Sequence, residues 1–487
     1  LPGDAHLRHQ ASGRIVNPGM DHLAVARGCS GPDITGGFDK DPLPPGLLDE
    51  DVVTVVRRLR RYHFEAYLVG GCVRDLLLGV TPKDFDVATA AQPREIRRIF
   101  RNSKIIGRRF RLAHIFFRAG KVIEVATFRR APWAERLDNG VELAEDEDLL
   151  ITDDNLFGTP AEDARRRDFT INGLFYDLHT REILDHVHGL PDITARTVRA
   201  IGDPEIRIQE DPVRILRAIK FASRLDLTID PLLWAAMLHH GEEIRRAAPP
   251  RLLEEIFRLL RGPHARTTLT LLLRSGQLAI LLPEVQEYLV ATGETEAPPP
   301  EAPVPPTAGR FWRLLELLDE TTARQGVPED ALLLAVVGYL PILHRLAREN
   351  PTNLGAAVDQ IVGEFATRMR LPRRETERLK QVFITERRLA ARRRRSGGHR
   401  DALLRRPGLG EALFLHELGR RLEGDPLDRI LQLRRDLQQR GEHPAPREGE
   451  PVTPPPAAPL PPAGEPDDPA RPRRRPRRSR WYGPRNR

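Results

Sequence analysis

Leu68-Val69-Gly70-Gly71-Cys72-Val73-Arg74-Asp75, followed nine residues later by Asp84-Phe85-Asp86, is the stretch on which the reading of this 487-residue chain turns. The apolar run Ala66 to Val69 reads as a strand, and Gly70-Gly71 opens a helix through Leu78, giving a strand, glycine turn, helix unit. At such a turn backbone N–H groups can approach a phosphate, with Arg74 in the first helical turn as a charge-assisted clamp. The plain alternative is that the two glycines form only a tight turn. On a strand, alternation sends the carboxylates of Asp84 and Asp86 to one face and Phe85 to the other, and such a pair can hold hard cations. Alone, a D-x-D is commonly solvated surface; the glycine turn just before it is what gives it weight.

Outward from this unit the pattern stays mixed. Upstream, Asp49 to Arg61 is a helix-like run, and residues 1–46, rich in Gly, Pro, Asp and His without apolar periodicity, read as a disordered leader. Downstream come a short strand around Phe85 to Ala88, a helix started by Pro93, and two strand-like runs, Leu112 to Phe117 and Val122 to Phe128. Ala119-Gly120 joins the last two as a β-hairpin. Glu124 lies mid-run in Val122-Ile123-Glu124-Val125-Ala126, where an acid is costly unless paired or metal-bound. It is either the third carboxylate that two divalent ions about 4 Å apart call for or the partner of a cation such as Arg109 or Arg111.

Beyond Ala161 the strand signal mostly fades. Leu216, Ile219 and Ala222, then Leu252, Leu253, Ile256, Phe257 and Leu260, follow helical spacing. A Pro-rich loop occupies 297–306, helical periodicity resumes from Phe311 to about Gln439, and Pro, Gly and charge dominate from Pro444. The expected fold class is α+β. An N-terminal mixed α/β head with an antiparallel-containing sheet (47–190) precedes a helical neck (191–262) and a mostly α-helical body (263–443). A disordered leader (1–46) and a disordered basic tail (444–487) flank them.

The chain's 44 prolines are too many for helices and strands and belong largely to linkers. Formal net charge is +8, yet Arg471 to Arg487 alone hold nine arginines and no acid; without them 68 basic residues face 69 acidic ones. The basic character is therefore a property of the tail, an arm for a polyanion: RNA, DNA or anionic membrane. Cys29 and Cys72 are the only cysteines, too few for a disulfide framework, so a reducing, cytoplasmic setting is expected. The most apolar stretch, Leu332 to Leu343, contains Pro341 and falls short of the roughly 20 residues of a membrane helix. No membrane segment or signal peptide is expected.

Four motifs occur in order: Gly70-Gly71-Cys72-Val73-Arg74-Asp75, Asp84-Phe85-Asp86, Arg166-Arg167-Asp168-Phe169-Thr170-Ile171-Asn172, and Glu210-Asp211-Pro212-Val213-Arg214-Ile215-Leu216-Arg217-Ala218. This order resembles the class II nucleotidyltransferases, the bacterial poly(A) polymerases and CCA-adding enzymes, strongly over about Leu48 to Gly262. Beside it, the reading from the residues stands: Asp84, Asp86 and Glu124 as the holders of catalytic metal, and Gly70, Gly71, Arg74 and Asp75 as the nucleotide seat. The resemblance implies that Arg166, Arg167, Asp168 and Asn172 bind sugar and phosphates. Asp211 and Arg214 would read the base's Watson–Crick edge, with Arg217 beside them. From spacing alone, Asp168 and Asn172 share a face if helical; Asp211 suits an N-cap with Pro212 in the first turn, and Arg214 an intrahelical ion pair.

Ile105 to Ile115, with Arg108, Arg109 and Arg111, resembles the signature that separates the poly(A) polymerases from the CCA-adding enzymes. Its arginines offer a positive lip for RNA phosphates, or only a charged strand edge. In the tail, Arg473, Arg474, Arg475, Arg477 and Arg478 with Trp481 and Tyr482 suit sequence-independent RNA capture and base stacking. The expectation is template-independent transfer of AMP from ATP to RNA 3′ ends, with Mg²⁺ or Mn²⁺ in a two-metal site and RNA-turnover proteins as further partners. CCA addition to tRNA and a non-catalytic RNA-binding role are the alternatives.

Overall fold

The computed structural model describes residues 43, 45–107, 111–130, 156–298, 309–390 and 406–439, all within the compact unit Leu1–Glu450. Helix α1 (Glu50–Arg61) begins at Asp49, whose carboxylate accepts from the Asp51 and Val52 amides at 2.9 and 3.4 Å. Val52, Val55, Val56 and Leu59 form its buried stripe at i, i+3, i+4, i+7 spacing. Then follow β1 (Ala66–Val69), α2 (Gly71–Leu77), β2 (Asp86–Thr89) and α3 (Pro93–Ile99). Proline in the first turn and a Gln92–Glu95 capping box start α3. Next come β3 (Ser103–Ile106), β4 (Leu112–Phe116), β5 (Val122–Thr127), α4 (Pro160–Arg165), β6 (Leu174–Asp177), β7 (Glu182–Asp185), α5 (Gly189–Thr194) and β8 (Thr197–Val198).

Seven of these strands make one sheet, ordered β3-β4-β5-β2-β1-β6-β7, in which only β2 and β5 run parallel. Register fixes its two faces. Leu68, Val87, Ala113, Val125 and Tyr176 point toward α1, α2 and α3 and join the main core. Tyr67, Val69, Ala88 and Phe175 point the other way and pack with Phe128 and Ala164 of α4, Tyr67 stacking on Phe128 at 6.0 Å. Asp86, Glu124 and His114 lie side by side on this second face.

The expectation of an α+β head holds, with differences of detail. Asp84 and Phe85 precede β2, so only Asp86 of the D-F-D is in the strand. The strand signal does not end near Ala161: β6 and β7 complete the sheet, and β8 pairs with β9 (Thr228–Ile229) in a small parallel ribbon. β6 is buried at all four positions and shows no alternation, and β3 and β7 are only four residues long, so periodicity had little to register.

Between β8 and β9 lie α6 (Pro204–Glu210) and α7 (Arg214–Leu225), and α8 (Pro231–His239) and α9 (Pro249–Leu260) follow. The body consists of α10 (Ala265–Arg274), α11 (Gln277–Leu281), α12 (Pro283–Thr292), α13 (Arg310–Gln325), α14 (Asp330–Glu349), α15 (Leu354–Arg368), α16 (Arg373–Ala390), α17 (Leu409–Glu423) and α18 (Asp428–Gln439). By length and composition α14 could span a membrane, but it is buried all round from Ala331 to Ile342 and packs against α12, α13, α15, α16 and α17. It is the hub of the helical body, Pro341 included.

Candidate active site

The parallel register of β2 and β5 sets Asp86 beside Glu124, and β4 sets His114 on Glu124's other side. Asp84 stands two residues before Asp86, and all three acidic residues are exposed. Although the residue is partly exposed, protein packed around its carboxylate strips water from Asp86, and Glu124 and then Asp84 add like-charge repulsion against the relief from Arg167, so its carboxyl is pushed up to about 6. Glu124 pairs with His114 Nε2 at 3.2 Å; of its two cation candidates, Arg109 lies outside the described residues and Arg111 makes no ion pair with it. Crowded and oxygen-rich, with Asp84 and Asp86 hydrogen-bonded by no side chain among the described residues, this row fits the donor set of hard divalent ions.

Gly70 adopts φ 71° and ψ −124°, a conformation L side chains rarely take, and ends β1 with its N–H bonded to the Leu174 carbonyl. A Cβ added there would lie 2.8 Å from Arg167 Nη1, and one on Gly71 3.6 Å from Arg74 Nη2. Gly70 thus makes room for the Arg167 guanidinium tip against the turn, whereas at Gly71 the contact with Arg74 would be an ordinary one. Arg74 is buried: its Nε and Nη2 donate to Asp75 Oδ1 at 2.9 and 2.5 Å, its Nη1 donates to Asn172 Oδ1 at 2.6 Å, and it lies 4.6 Å over the Phe221 ring. Three of the five guanidinium N–H donors are engaged there, leaving two for an incoming anion. Arg224 approaches the other oxygen of Asp75 at 3.5 Å.

From Arg74 a chain of hydrogen bonds continues. Asn172 Nδ2 donates to Asp168 Oδ1 at 3.0 Å, and Asp168 Oδ2 takes Nη2 and Nε of Arg217 at 2.6 and 2.7 Å. Burial opposes ionisation of Asp168, but Arg217, Asn172 and Arg214 outweigh it and hold the carboxyl well below its ordinary range. Asp168 and Asn172 do meet, through a 3-10 turn at Thr170–Asn172 rather than along an α-helix, because Phe169 is extended and pairs with Ala200.

Beneath this chain Asp163 of α4, fully buried, takes Arg166 Nε at 2.8 Å, Arg167 Nη2 at 2.9 Å and the Arg129 amide at 3.1 Å. Arg207 of α6 donates to the carbonyls of Arg166 and Arg167 at 2.9 and 2.5 Å and to Glu210 Oε2 at 2.6 Å. Glu210 also takes Arg214 Nη1 at 2.7 Å. Asp211 is not an N-cap: it ends α6, α7 starts three residues later at Arg214, and Arg251 of α9 clasps Asp211 with both terminal nitrogens, at 2.8 and 2.6 Å. Arg214's ion-pair partner is accordingly Glu210.

Of the arginines expected to contact RNA, Arg108, Arg109, Arg473, Arg474, Arg475, Arg477 and Arg478 lie outside the described residues. Arg111 is exposed just before β4. Asp163, Arg207, Arg251 and His114 were not singled out from sequence. Asp163 stands three and four residues before Arg166 and Arg167, a spacing that pairs charges on a helix and could have been read. Arg251 reaches Asp211 across 40 residues and leaves no local signal.

Carboxylates crowded beside a glycine turn that two arginines back are equipment for nucleotidyl transfer, and the chain is a nucleotidyltransferase. Residues 66–199 match the model of the "Poly A polymerase head domain", and residues 226–289 that of the "Probable RNA and SrmB- binding site of polymerase A". Poly(A) polymerase I of Salmonella typhi is 33% identical over 393 residues, 79% of this chain and 81% of that protein. Its counterpart in Haemophilus influenzae is 35% identical over 352 residues, 71% and 75% of the two chains. The chain belongs to the poly(A) polymerase family of nucleotidyltransferases. A CCA-adding enzyme of Lactobacillus helveticus is 35% identical over 226 residues, 46% of this chain and 53% of that one. In fold, the Bacillus stearothermophilus CCA-adding enzyme in complex with CTP superposes with a TM-score of 0.57 at 24% identity, covering 82% of this chain and 83% of that one. A tRNA nucleotidyltransferase complexed with a primer tRNA and an incoming ATP analog superposes at 0.52 and 21% identity, covering 80% and 99%.

Proposed function

We propose that this chain adds AMP from ATP, without a template, to RNA 3′ ends and releases pyrophosphate. The observation that carries this reading is the row of Asp86 and Glu124 on adjacent strands, with Asp84 next to it and the Gly70-Gly71 turn alongside. The breadth of similarity favours adenylation: at comparable identity, poly(A) polymerase I of Salmonella typhi aligns with 79% of the chain and the Lactobacillus CCA-adding enzyme with 46%.

Asp84, Asp86 and Glu124 would hold divalent ions, with Mg²⁺ the proposed occupant and Mn²⁺ a substitute. When bound, these supply the charge that lowers the pKa of the attacking hydroxyl and stabilises the leaving pyrophosphate. The RNA 3′-oxygen attacks the α-phosphorus in line and gives its proton to water, while the bond from phosphorus to the α,β-bridging oxygen breaks and pyrophosphate leaves with that oxygen. Arg74 and Arg167, seated on the glycine turn, hold the triphosphate, and Asp168 and Asn172, locked to each other and to Arg217, fix the sugar. Glu210 orients Arg214 and Arg251 orients Asp211 for the base edge. Arg108, Arg109, Arg111 and the arginine tail guide RNA, RNA-turnover proteins are further partners, and a cytoplasmic setting accompanies this role.

The test is incubation of the purified chain with a labelled oligoribonucleotide and single nucleoside triphosphates. Long tails from ATP alone are expected. A short product that needs CTP and a tRNA acceptor would mean CCA addition, and no product under any condition would favour an RNA-binding role.

A further inference from the structure

Helices α6 and α8 meet at a cluster that nucleotidyl transfer does not use. Glu205, in the first turn of α6, faces His239, the last residue of α8, and His240, its C-cap. One ligand atom from each, a Glu205 carboxylate oxygen, His239 Nδ1 and His240 Nε2, lies within 4.8 Å of the others. Glu205 Oε2 is 3.0 Å from His239 Nδ1 and also contacts His240 Nε2, which Gln209 Nε2, one turn further along α6, approaches to 3.1 Å.

With the Gln209 amide oriented as it is, one neutral His240 Nε2 cannot satisfy both of its contacts. A neutral imidazole nitrogen either donates or accepts. If His240 Nε2 donates to Glu205, the Gln209 N–H finds no lone pair; if it accepts from Gln209, its lone pair faces a carboxylate. A cation removes the conflict by taking both imidazole lone pairs and the carboxylate, with the Gln209 amide turned over to present its oxygen. The site also lies at the C-terminal end of α8, where the helix dipole favours positive charge.

We propose that Glu205, His239 and His240 bind a divalent ion of the Zn²⁺ class, with Gln209 as an adjacent oxygen donor. Two imidazoles and one carboxylate select borderline metals over Mg²⁺, unlike the carboxylate row on the sheet. Ligands at zinc distance and tetrahedral angle are about 3.3 Å apart, close to the 3.0 Å between Glu205 Oε2 and His239 Nδ1. His239 is 73% and Glu205 43% exposed, so an ion has a route in and a side open to water. The ion would tie α8 to α6, the helix from which Arg207 and Glu210 hold the Arg166-Arg167 turn and Arg214.

Untagged full-length chain, stripped with chelator, is titrated with Co²⁺ in excess Mg²⁺, and visible d–d absorption is recorded. One Co²⁺ per chain is expected, displaced by Zn²⁺, with His240→Ala and Glu205→Gln each weakening it by at least about tenfold and Asp86→Asn leaving it unchanged. Equal Co²⁺ affinity in wild type and His240→Ala, with folding verified by circular dichroism, would overturn the assignment. So would a signal lost in Asp86→Asn but kept in Glu205→Gln.

Discussion

Replacing Asp163 by Asn removes one charge and no volume from beneath the nucleotide site. Oδ1 of Asp163 serves the Arg129 amide and Arg166 Nε; Oδ2 serves Arg167 Nη2 at 2.9 Å and Nε at 3.3 Å. Asn can reproduce the first pair of contacts, but its amide nitrogen then confronts two Arg167 donors. Two charge-assisted hydrogen bonds at about 1.5–3 kcal/mol each give a loss of about 3–6 kcal/mol; Arg167 is partly accessible to water, which favours the lower end. At about 1–2 °C per kcal/mol for a unit of this size, the melting temperature at pH 7 should fall by roughly 3–6 °C. ATP should bind more weakly, since Arg167 loses its seat. Burial pushes the Asp163 carboxyl up, but Arg167 and Arg166 outweigh that and hold it below the ordinary 3.8. Its stabilisation is therefore complete above the unfolded pKa and is lost as pH falls through the folded value, so the two proteins should converge in acid. Differential scanning calorimetry from pH 7 down to pH 3 reads both effects. A shift under about 2 °C at pH 7, or a gap that stays constant into acid, would refute the role given to Asp163.

Gly70→Ala forces an L residue into positive φ at about 1–2 kcal/mol and drives its Cβ against Arg167 Nη1. ATP affinity by titration calorimetry should fall about tenfold with circular dichroism unchanged; full affinity would count against the glycine turn as a phosphate seat. Arg251→Met breaks a half-exposed pair worth at most about 1 kcal/mol, so melting should hardly move while the kcat/KM preference for ATP over CTP narrows; unchanged preference would separate Asp211 from base selection. Asp86→Asn should raise the melting temperature of the metal-free chain at pH 8 while abolishing transfer. The Asp86 carboxyl is raised to about 6, so its ionised form destabilises the folded state above that pH and has no such effect below the ordinary 3.8. Equal melting temperatures at pH 8 would mean the three acids do not repel one another.

The strands and helices flanking the glycine turn were legible because each carries its own local signal. Ala66 to Val69 is uniformly apolar, Asp49 caps α1, and Pro93 starts α3. Glu124 drew notice as an acid in an apolar run, but β5 alternates and leaves it exposed and paired with His114, so burial was not its reason. What stayed hidden was long-range or very short. β6 reads as four buried residues without alternation, and its membership in the sheet depends on pairing with β1, about 100 residues earlier. Asp211-Pro212 has the composition of a helix start, but the bidentate grip of Arg251 holds Asp211 at the end of the preceding helix instead. Asp168 and Asn172, four apart, suggested a helical face; tertiary pairing of Phe169 with Ala200 gives them a tighter turn and a direct hydrogen bond.

The convergence of Asp84, Asp86 and Glu124 is tested most directly at Glu124, the member furthest in sequence from the other two. Single-turnover addition of one AMP to a labelled oligoribonucleotide by Glu124→Gln, with ATP affinity measured in parallel, isolates its part in the chemistry. Transfer should slow by at least about a hundredfold while ATP still binds. A rate within about twofold of wild type would contradict a three-carboxylate centre and leave Glu124 as no more than the partner of His114.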